Sequence, residues 1–289
     1  MLGTATSTSE RVRPRSELPF VTATLNYCAD IPRARAYVLT PEKNYRPLLP
    51  TKVRIYDARP IRAELDLEKE GFALLDHQSS VTHLRTPQEI DSIYHQEVGK
   101  LIHEICGADF VLPYRKYMQL RLSQRAPGEN GNEFTRPAGF VHMDFSHRSF
   151  LDFIRYVQEA EGVTPGVYRR VVVYQTWRAL SAPPQDYPLA VTDGRSVKPD
   201  NHIIMDNIIT SEEAAADNVL ETRLGRADPE DRWYYFSNMR INELLVFKGN
   251  GTGPSDTQNV LHTGFDNTAA EPNAIPRESL EARFFAFWK

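Results

Sequence analysis

Cysteine is scarce in this sequence. Cys28 and Cys106 are the only two in 289 residues, and they lie far apart. A disulfide framework or a thiolate zinc site needs more cysteines at closer spacing. The sequence therefore excludes the class of small disulfide-stabilised secreted proteins, and its cysteine content is typical of a reducing compartment.

Long apolar runs are also missing. No segment approaches the ~18 apolar residues that a membrane-spanning helix requires. The first 20 residues lack the apolar stretch of a secretory signal peptide. We therefore expect a cytoplasmic protein that does not insert into a membrane.

No charge of one sign dominates. The formal net charge is −4, with 34 Lys and Arg residues interspersed among 38 Asp and Glu residues. Proteins that bind nucleic acids or membrane surfaces carry clusters of basic residues, and this sequence has none. The expected partner is therefore a small molecule. The composition does not indicate an oligomeric state.

Apolar residues are plentiful, and their spacing predicts both helices and strands. They make up 41% of the chain, which is enough for a sizeable core. Spacings of three and four predict an amphipathic helix over 87–106, and a second helix is predicted to end at Gly162. Alternating, β-branched or aromatic segments predict strands, including "YRKYMQLRLSQR", "YRRVVVYQTWRAL", "NELLVFKGN" and "RESLEARFFAFWK".

These elements predict a mainly β protein with flanking helices, and we interpret residues 1–289 as one domain. Residues 1–60 are rich in Ser, Thr, Arg and Pro, so we interpret them as an arm that wraps the domain. Residues 107–289 supply the strands of a barrel or jelly roll, the architecture of cupin-like proteins. We expect an insertion near 200–230, with a helix or a loop over 211–225.

The candidate chemistry begins with a His-x-Asp pair in "FVHMDF". His142 and Asp144 lie two positions apart in a segment with strand character, so their side chains share a face. A second pair, His95 and Glu97, falls in the predicted helix. Residues two apart on a helix point in nearly opposite directions, so this second pair cannot bind one ion. We therefore interpret His95 and Glu97 as part of a packed or solvated helix face.

His142 and Asp144 supply only two ligands, so a metal site needs at least one more. His262, in "NVLHTGFDN", follows a Gly-rich turn and a short apolar step, and a barrel can bring distant strands together. His202 lies in a polar segment and is a minor candidate. Two histidines and one carboxylate form the facial triad of non-haem Fe(II) oxygenases, and the same ligands also bind zinc.

A possible carboxylate receptor lies near the end of the chain. In "IPRESLEARFFAFW", Arg277 and Ser279 share one strand face, and Arg283 lies on the same face six positions later. A guanidinium group beside a hydroxyl group suits the distal carboxylate of a dicarboxylic acid. This feature favours an oxygenase with a dicarboxylate co-substrate over a zinc hydrolase.

With these motifs, the sequence resembles the Fe(II)/2-oxoglutarate-dependent dioxygenases, which carry His-x-Asp, a distant His and a later Arg-x-Ser. It is most similar to the branch that contains gibberellin desaturase-like and AsaB-like hydroxylase/desaturase proteins and cephalosporin methoxylase-type subunits. The segments that carry this resemblance span about three-quarters of the chain. They are "EGFALLDHQSSV", "QTWRAL", "PLAVTDGRSV", "ELLVFKG", "HTGFDN" and "PRESLEARFFAFW".

The resemblance implies a double-stranded β-helix and an oxidoreductase that uses Fe(II), 2-oxoglutarate and O2, with ascorbate as a reductant in vitro. It implies that His142, Asp144 and His262 bind the metal. Arg277 and Ser279 would bind 2-oxoglutarate, with Arg283 as the alternative. The implied reaction is hydroxylation, desaturation or another oxidation of an unactivated C–H bond in a small organic molecule, within natural-product biosynthesis.

Other assignments stay open at this point. A metal-dependent zinc hydrolase and a metal-free cupin-like binding protein are the alternative functions. The histidine-to-arginine spacing of 15 is longer than in plant-type relatives, which leaves both arginines as possible anchors. Four further residues are candidates for contact with the substrate or with the site: Gln119, Arg121, Trp177 and Arg178.

Overall fold

The structure is a computed structural model of the chain. It describes residues 15–37, 40–81, 84–115, 119–123, 136–164, 166, 168–209, 218–254, 256 and 260–289. Strands dominate, which confirms the prediction of a mainly β protein. In chain order the described strands are β1 (Phe20–Cys28), β2 (Ala34–Tyr37), β3 (Leu48–Asp57), β4 (Phe72–Asp76), β5 (Phe110–Pro113), β6 (Gln119–Leu122), β7 (His142–Met143), β8 (Arg170–Ala179), β9 (Leu189–Thr192), β10 (His202–Ile209), β11 (Asn218–Gly225), β12 (Trp233–Tyr235), β13 (Glu243–Gly251), β14 (His262–Gly264) and β15 (Glu278–Trp288).

The strands form two sheets. The larger has the order β1-β3-β12-β9-β14-β7-β11-β10-β2. The smaller has the order β4-β13-β8-β15-β5, and β6 pairs with β15 beside this path. Most neighbouring strands are antiparallel, while β2 with β10 and β3 with β12 are parallel. The long pairing of β8 with β15 makes these two strands the centre of the smaller sheet.

Alternation along β8 and β15 decides which side chains face the larger sheet. Leu280 and Phe284 of β15 belong to a core cluster with Tyr94 and Val98, so this face packs against the long helical segment. Trp177 of β8 faces the other way and packs against Val191 of the larger sheet. Odd-numbered residues of β15 therefore face the space between the sheets, because side chains alternate along a strand.

Helices flank the smaller sheet, as predicted, and they pack on opposite faces of it: Val98 clusters with Phe284, and Ile154 clusters with Phe285. The helices are α1 (Pro87–Glu89), α2 (His95–Cys106) and α3 (His147–Ala160), and a π-helical turn over Ile90–Tyr94 joins α1 to α2. Left-handed glycines follow the two longer helices, Gly107 at φ 63° and Gly162 at φ 67°, where a residue without Cβ is favoured. Short 3-10 turns occur at Arg15–Glu17, Pro41–Lys43, Arg59–Glu64 and Gly194–Ser196.

No helix in the described part of the chain is both long enough and apolar enough to cross a lipid bilayer. The predicted helix face at His95 and Glu97 is packed. His95 is buried and contacts the ring of Phe284 edge-on. The Glu97 carboxylate accepts hydrogen bonds from Ser79 and Ser80.

Two sequence expectations need correction. The segment 1–60 contains β1, β2 and β3, which pair within the larger sheet and so do more than wrap it. Residues 218–225 form β11, not a helix, and pair in register with β10; residues 210–217 lie outside the described part. Within 218–225, pairing with β10 outweighs local propensity, which is a weak determinant.

Asp231 occupies an unfavourable place for a charged group. It lies shortly before β12, and neither of its carboxylate oxygens has a hydrogen-bond partner. Burial, with a smaller contribution from the charge of Asp228, raises the pKa of Asp231 to about 7. In the unfolded chain this pKa is about 4. Proton binding therefore stabilises the fold fully below about pH 4, and this stabilisation is lost as the pH rises through about 7.

We predict that Asp231→Asn raises the thermal unfolding temperature at about pH 8, because the amide resembles the protonated carboxyl group. The gain should shrink steadily as the pH falls from about 7 toward about 4. Thermal denaturation of both proteins across this range measures the effect. A gain of equal size at every pH would show that the charge of Asp231 is not its cause.

Candidate active site

Two histidines meet in the larger sheet through strand pairing. His142 in β7 and His262 in β14 are direct partners in an antiparallel pair. Directly paired residues project their side chains from the same face. The two imidazole ring centroids are accordingly 4.2 Å apart. The sheet thus brings together two residues that are distant in sequence.

Asp144 completes a group of three. Its Oδ1 lies 3.4 Å from Nε2 of His142 and 3.7 Å from Nε2 of His262. One ligand atom from each residue lies within 4.8 Å of the others. Two imidazole nitrogens and one carboxylate oxygen are a donor set for Fe(II), and also for zinc. These residues therefore fit a metal ion by composition and by proximity.

The environments of Asp144 and His262 favour the protonation states that metal ligands need. Nδ1 of His142 lies 2.9 Å from the carbonyl oxygen of Phe140, which leaves Nε2 facing Asp144. Burial, with the charge of His142, lowers the pKa of His262. Burial alone would raise the pKa of Asp144, but the charge of Arg283 and hydrogen bonds with the histidines hold it well below its usual value. An ionised carboxylate and a neutral imidazole are the ligand forms that metals require.

The second oxygen of Asp144 is engaged from the smaller sheet. Oδ2 lies 2.7 Å from Nε of Arg283 and 2.5 Å from its Nη2. Nε2 of Gln175 also donates to Oδ2. Arg283, predicted as the alternative co-substrate anchor, is therefore placed beside the metal-ligand candidate Asp144. Sequence reasoning missed Gln175, although a polar residue two positions before Trp177 in an apolar strand signals an inward-facing role.

One pocket joins this group to Arg277. Ten residues line it: Arg121, Pro137, Ala138, His142, Asp144, Leu189, His262, Gly264, Arg277 and Glu281. Gly264 is needed for close packing, because a Cβ there would lie 2.8 Å from the ring of Tyr187. The three metal-ligand candidates and the arginine of the predicted Arg-x-Ser motif therefore share one cavity.

Arg277 and Ser279 are buried with polar atoms unpaired. Their exposures are 1% and 0%. Nη1 of Arg277 donates to the carbonyl oxygen of Tyr187 at 2.9 Å. Nε and Nη2 of Arg277 and Oγ of Ser279 have no hydrogen-bond partner. Burial lowers the pKa of Arg277 to about 10. Buried polar groups are nearly always paired, so these atoms fit a bound carboxylate.

Arg121 also reaches the pocket. In β6 it lies directly opposite Ser279, and its Nε is 3.5 Å from a carboxylate oxygen of Glu281. Gln119 lies opposite Glu281 in the same pairing, but its side chain is outside the described residues. The structure therefore places Arg121 at the site and gives only a backbone position for Gln119.

Trp177 and Arg178 occupy opposite faces of β8. The Trp177 ring is buried, with its centroid 5.6 Å from Cζ of Arg277, so it supports the arginine from the core. Arg178 points away from the pocket, and its guanidinium group donates to the carbonyl oxygens of His77 and Ile241. The structure does not bring Arg178 to the site. His202 lies in β10 and is not part of the His-Asp-His group.

Comparison with known proteins finds relatives along most of the chain. The Fe(II)/2-oxoglutarate-dependent dioxygenase nvfI of Aspergillus novofumigatus is 26% identical over 243 residues, covering 82% of this chain and 84% of the relative. The hydroxylase/desaturase efuI of Hormonema carpetanum is 28% identical over 256 residues, covering 82% and 83%. These names confirm the resemblance inferred from the sequence and the class of oxidoreductase.

A solved structure matches the fold. The iron and alpha-ketoglutarate-dependent endoperoxidase NvfI, in a form described as having a different conformation, superposes with a TM-score of 0.78 at 21% identity. The match covers 94% of this chain and 99% of the other. This likeness confirms the double-stranded β-helix that the resemblance implied.

A family model described as "Oxidoreductase/YMDC permease-like domain" matches residues 25–287, which is most of the chain. The matched region contains every strand from β2 to β14 and all of the residues that line the pocket. The chain belongs to this oxidoreductase family.

Proposed function

We propose that this chain is a non-haem Fe(II)- and 2-oxoglutarate-dependent oxygenase. His142, Asp144 and His262 hold the iron, and Arg277 with Ser279 binds the distal carboxylate of 2-oxoglutarate. One observation carries the proposal: buried, unpaired donors of Arg277 and Ser279 line or adjoin the same pocket as a His-Asp-His group. The printed names of the relatives support the same chemistry.

When bound, Fe(II) and 2-oxoglutarate supply an oxidant from O2 that attacks an unactivated C–H bond, with succinate and CO2 as co-products. The role of the chain's own residues is to bind and orient the iron and the 2-oxoglutarate. Asp144 and the two histidines would hold the iron, and a set of three protein ligands would leave other coordination positions for the co-substrate and O2. Leu189, Pro137 and Ala138 give the pocket apolar walls that exclude water.

Arg277 is the better anchor for 2-oxoglutarate. Its Nε and Nη2 have no hydrogen-bond partner, and its charge is buried with Trp177 beneath it. Arg283 already donates a hydrogen bond from Nε to Asp144 and forms an ion pair with it through Nη2. A carboxylate that took Arg283 would leave Asp144 buried with less compensation, which is costly. We therefore assign the anchor to Arg277 and the helper hydroxyl to Ser279.

The substrate is a small organic molecule, and we place the reaction in natural-product biosynthesis. Relatives named as hydroxylase/desaturase and dioxygenase support this placement. Hydroxylation, desaturation and rearrangement all begin with the same C–H attack, and Arg121 at the pocket is our candidate for contact with the substrate. We further propose that the enzyme acts as one domain in the cytoplasm.

The unpaired polar atoms of Arg277 and Ser279 argue against a zinc hydrolase with the same ligands. Hydrolysis by zinc requires ligands and water but no carboxylate anchor. Such an enzyme would leave Arg277 and Ser279 buried, unpaired and without a task. In the oxygenase, by contrast, Arg277 and Ser279 bind the co-substrate while the His-Asp-His group binds the metal.

We predict that protein stripped of metal converts 2-oxoglutarate to succinate only after Fe(II) and ascorbate are restored. Iron must be in its reduced form to start the reaction, and zinc cannot replace it because zinc has no redox chemistry. Succinate formation, followed with Fe(II), Zn(II) or no metal added, measures the dependence.

His142→Ala is the control for this experiment, since it removes one ligand and should abolish succinate formation with Fe(II) present. Full turnover with zinc alone, or undiminished turnover in the His142→Ala protein, would contradict the proposed function.

We also predict that Arg277→Ala weakens 2-oxoglutarate binding by about 1.5–3 kcal/mol, the contribution of hydrogen bonds to a charged group. This corresponds to a rise in Kd of about 10- to 150-fold. Calorimetric titration of 2-oxoglutarate into the anaerobic Fe(II)-loaded protein measures the change, and iron content should stay at the wild-type level.

Arg148→Ala, at an exposed arginine outside the pocket, is the matched control and should leave the Kd unchanged. An unchanged Kd in Arg277→Ala, together with a large rise in a folded, iron-loaded Arg283→Ala, would transfer the anchor to Arg283.

A further inference from the structure

We propose that Gln175 and Arg283 are positioning residues that hold Asp144 so that it binds the metal through Oδ1 alone. This inference rests on the proposed function, because it takes His142, Asp144 and His262 as the metal ligands. It assigns a role in the site to two residues of the smaller sheet, which faces the strands that carry the histidines.

The two residues act from a rigid platform. Gln175 of β8 and Arg283 of β15 are direct partners in the central pair of the smaller sheet. Their side chains therefore lie side by side on the face that looks toward the larger sheet. Both are buried, with exposures of 5% and 8%. From there they reach across the space between the sheets to Asp144, which follows β7.

All of their contacts with Asp144 fall on one oxygen. Nε and Nη2 of Arg283 both approach Oδ2, at 2.7 and 2.5 Å, and Nε2 of Gln175 donates to Oδ2 as well. An arginine that serves only as a counter-ion commonly spreads its two donors over both carboxylate oxygens. Here Oδ1 is left to face Nε2 of both histidines.

Arg170 and Asp256 show the common arrangement within the same molecule. Nε of Arg170 donates to Oδ2 of Asp256 at 2.9 Å, and its Nη2 donates to Oδ1 at 2.6 Å. Both oxygens of that buried carboxylate are used. The contrast between the two pairs indicates that Arg283 orients a carboxylate as well as compensating its charge.

The Gln175 side chain is fixed in turn by the backbone of β13. A Cβ at Gly249 would lie 3.1 Å from Oε1 of Gln175 and 2.8 Å from Cγ1 of Val173. Only glycine permits this close approach, which confines the amide between the strand and Asp144. The amide therefore has little freedom to turn its donor away from Oδ2.

This arrangement has a consequence for the reaction. A carboxylate with three donors on Oδ2 cannot easily rotate to bind a metal through both oxygens. If Asp144 bound the metal through Oδ1 alone, the position of a second oxygen would be left to the co-substrate or O2. Residues that orient a metal ligand in this way commonly change metal affinity by about 10–100-fold when they are replaced.

Two substitutions test the proposal without removing charge. Gln175→Met keeps the size of the side chain and deletes the donor. Arg283→Lys keeps the positive charge and deletes the Nε contact. A simple counter-ion role would tolerate the lysine, whereas orientation requires the planar guanidinium group.

Matched controls exist elsewhere in the fold. Gln158→Met removes a buried amide whose Nε2 donates to the hydroxyl of Tyr168 at 3.0 Å. Arg170→Lys removes the comparable two-donor contact with Asp256. These variants carry the same chemical changes at positions outside the pocket.

The measurement is Co(II) affinity by competition with a chromophoric chelator, without 2-oxoglutarate, together with the visible d–d absorption of the Co(II) protein. We expect the Kd for Co(II) to rise about 10–100-fold in Gln175→Met and Arg283→Lys. The absorption band should change shape, because the carboxylate changes its binding mode. Both control variants should bind Co(II) as the wild type does.

Wild-type affinity and an unchanged absorption band in folded Gln175→Met would overturn the proposal, whether or not Arg283→Lys folds. Equal losses in the site variants and in their controls would overturn it too, since they would show a general effect on stability. Failure of the wild-type protein to bind Co(II) at all would instead contradict the proposed function.

Discussion

The direct pairing of His142 with His262 is the constraint on which the candidate site depends. It joins β7 and β14, which lie between β9 and β11 in the middle of the larger sheet. A slip of one residue would turn one imidazole to the opposite face of the sheet and break the group. Pairing with strands on both sides opposes such a slip. Two short strands can therefore hold the candidate metal ligands in place, because their neighbours fix the register.

The smaller sheet brings positively charged and hydroxyl side chains to the histidines of the larger sheet. Alternation along β15 directs Ser279 and Arg283 into the space between the sheets, while Phe284 packs against α2. Arg277, one residue before β15, lines the pocket in the same space. Burying these charges is costly unless each has a partner. Arg283 has Asp144, whereas Arg277 keeps two unpaired nitrogens. Arg283 is therefore committed to an ion pair, whereas Arg277 keeps donors for the carboxylate that we propose binds there.

Local sequence patterns were sufficient for the parts of the site that depend on alternation. They placed His142 with Asp144 on one strand face, and they offered His262 as the third ligand and Arg277 with Ser279 as a carboxylate receptor before the resemblance assigned these roles. The hydrogen bond from Gln175 to Asp144 could not be predicted, because it depends on the distance between the two sheets. The strand at 218–225 was missed for a related reason: pairing with β10 is a tertiary effect that outweighs local propensity. The direction of Arg178 required the register of β8 with β15.

The central claim is that His142, Asp144 and His262 bind one iron ion beside a carboxylate held by Arg277. Crystals grown without oxygen, with Fe(II) and 2-oxoglutarate, allow a direct test by anomalous diffraction at the iron absorption edge. We predict one anomalous peak within bonding distance of Nε2 of both histidines and Oδ1 of Asp144. We also predict electron density for a carboxylate against Nε and Nη2 of Arg277. A peak at any other site, or a carboxylate bound to Arg283 instead, would contradict the central claim.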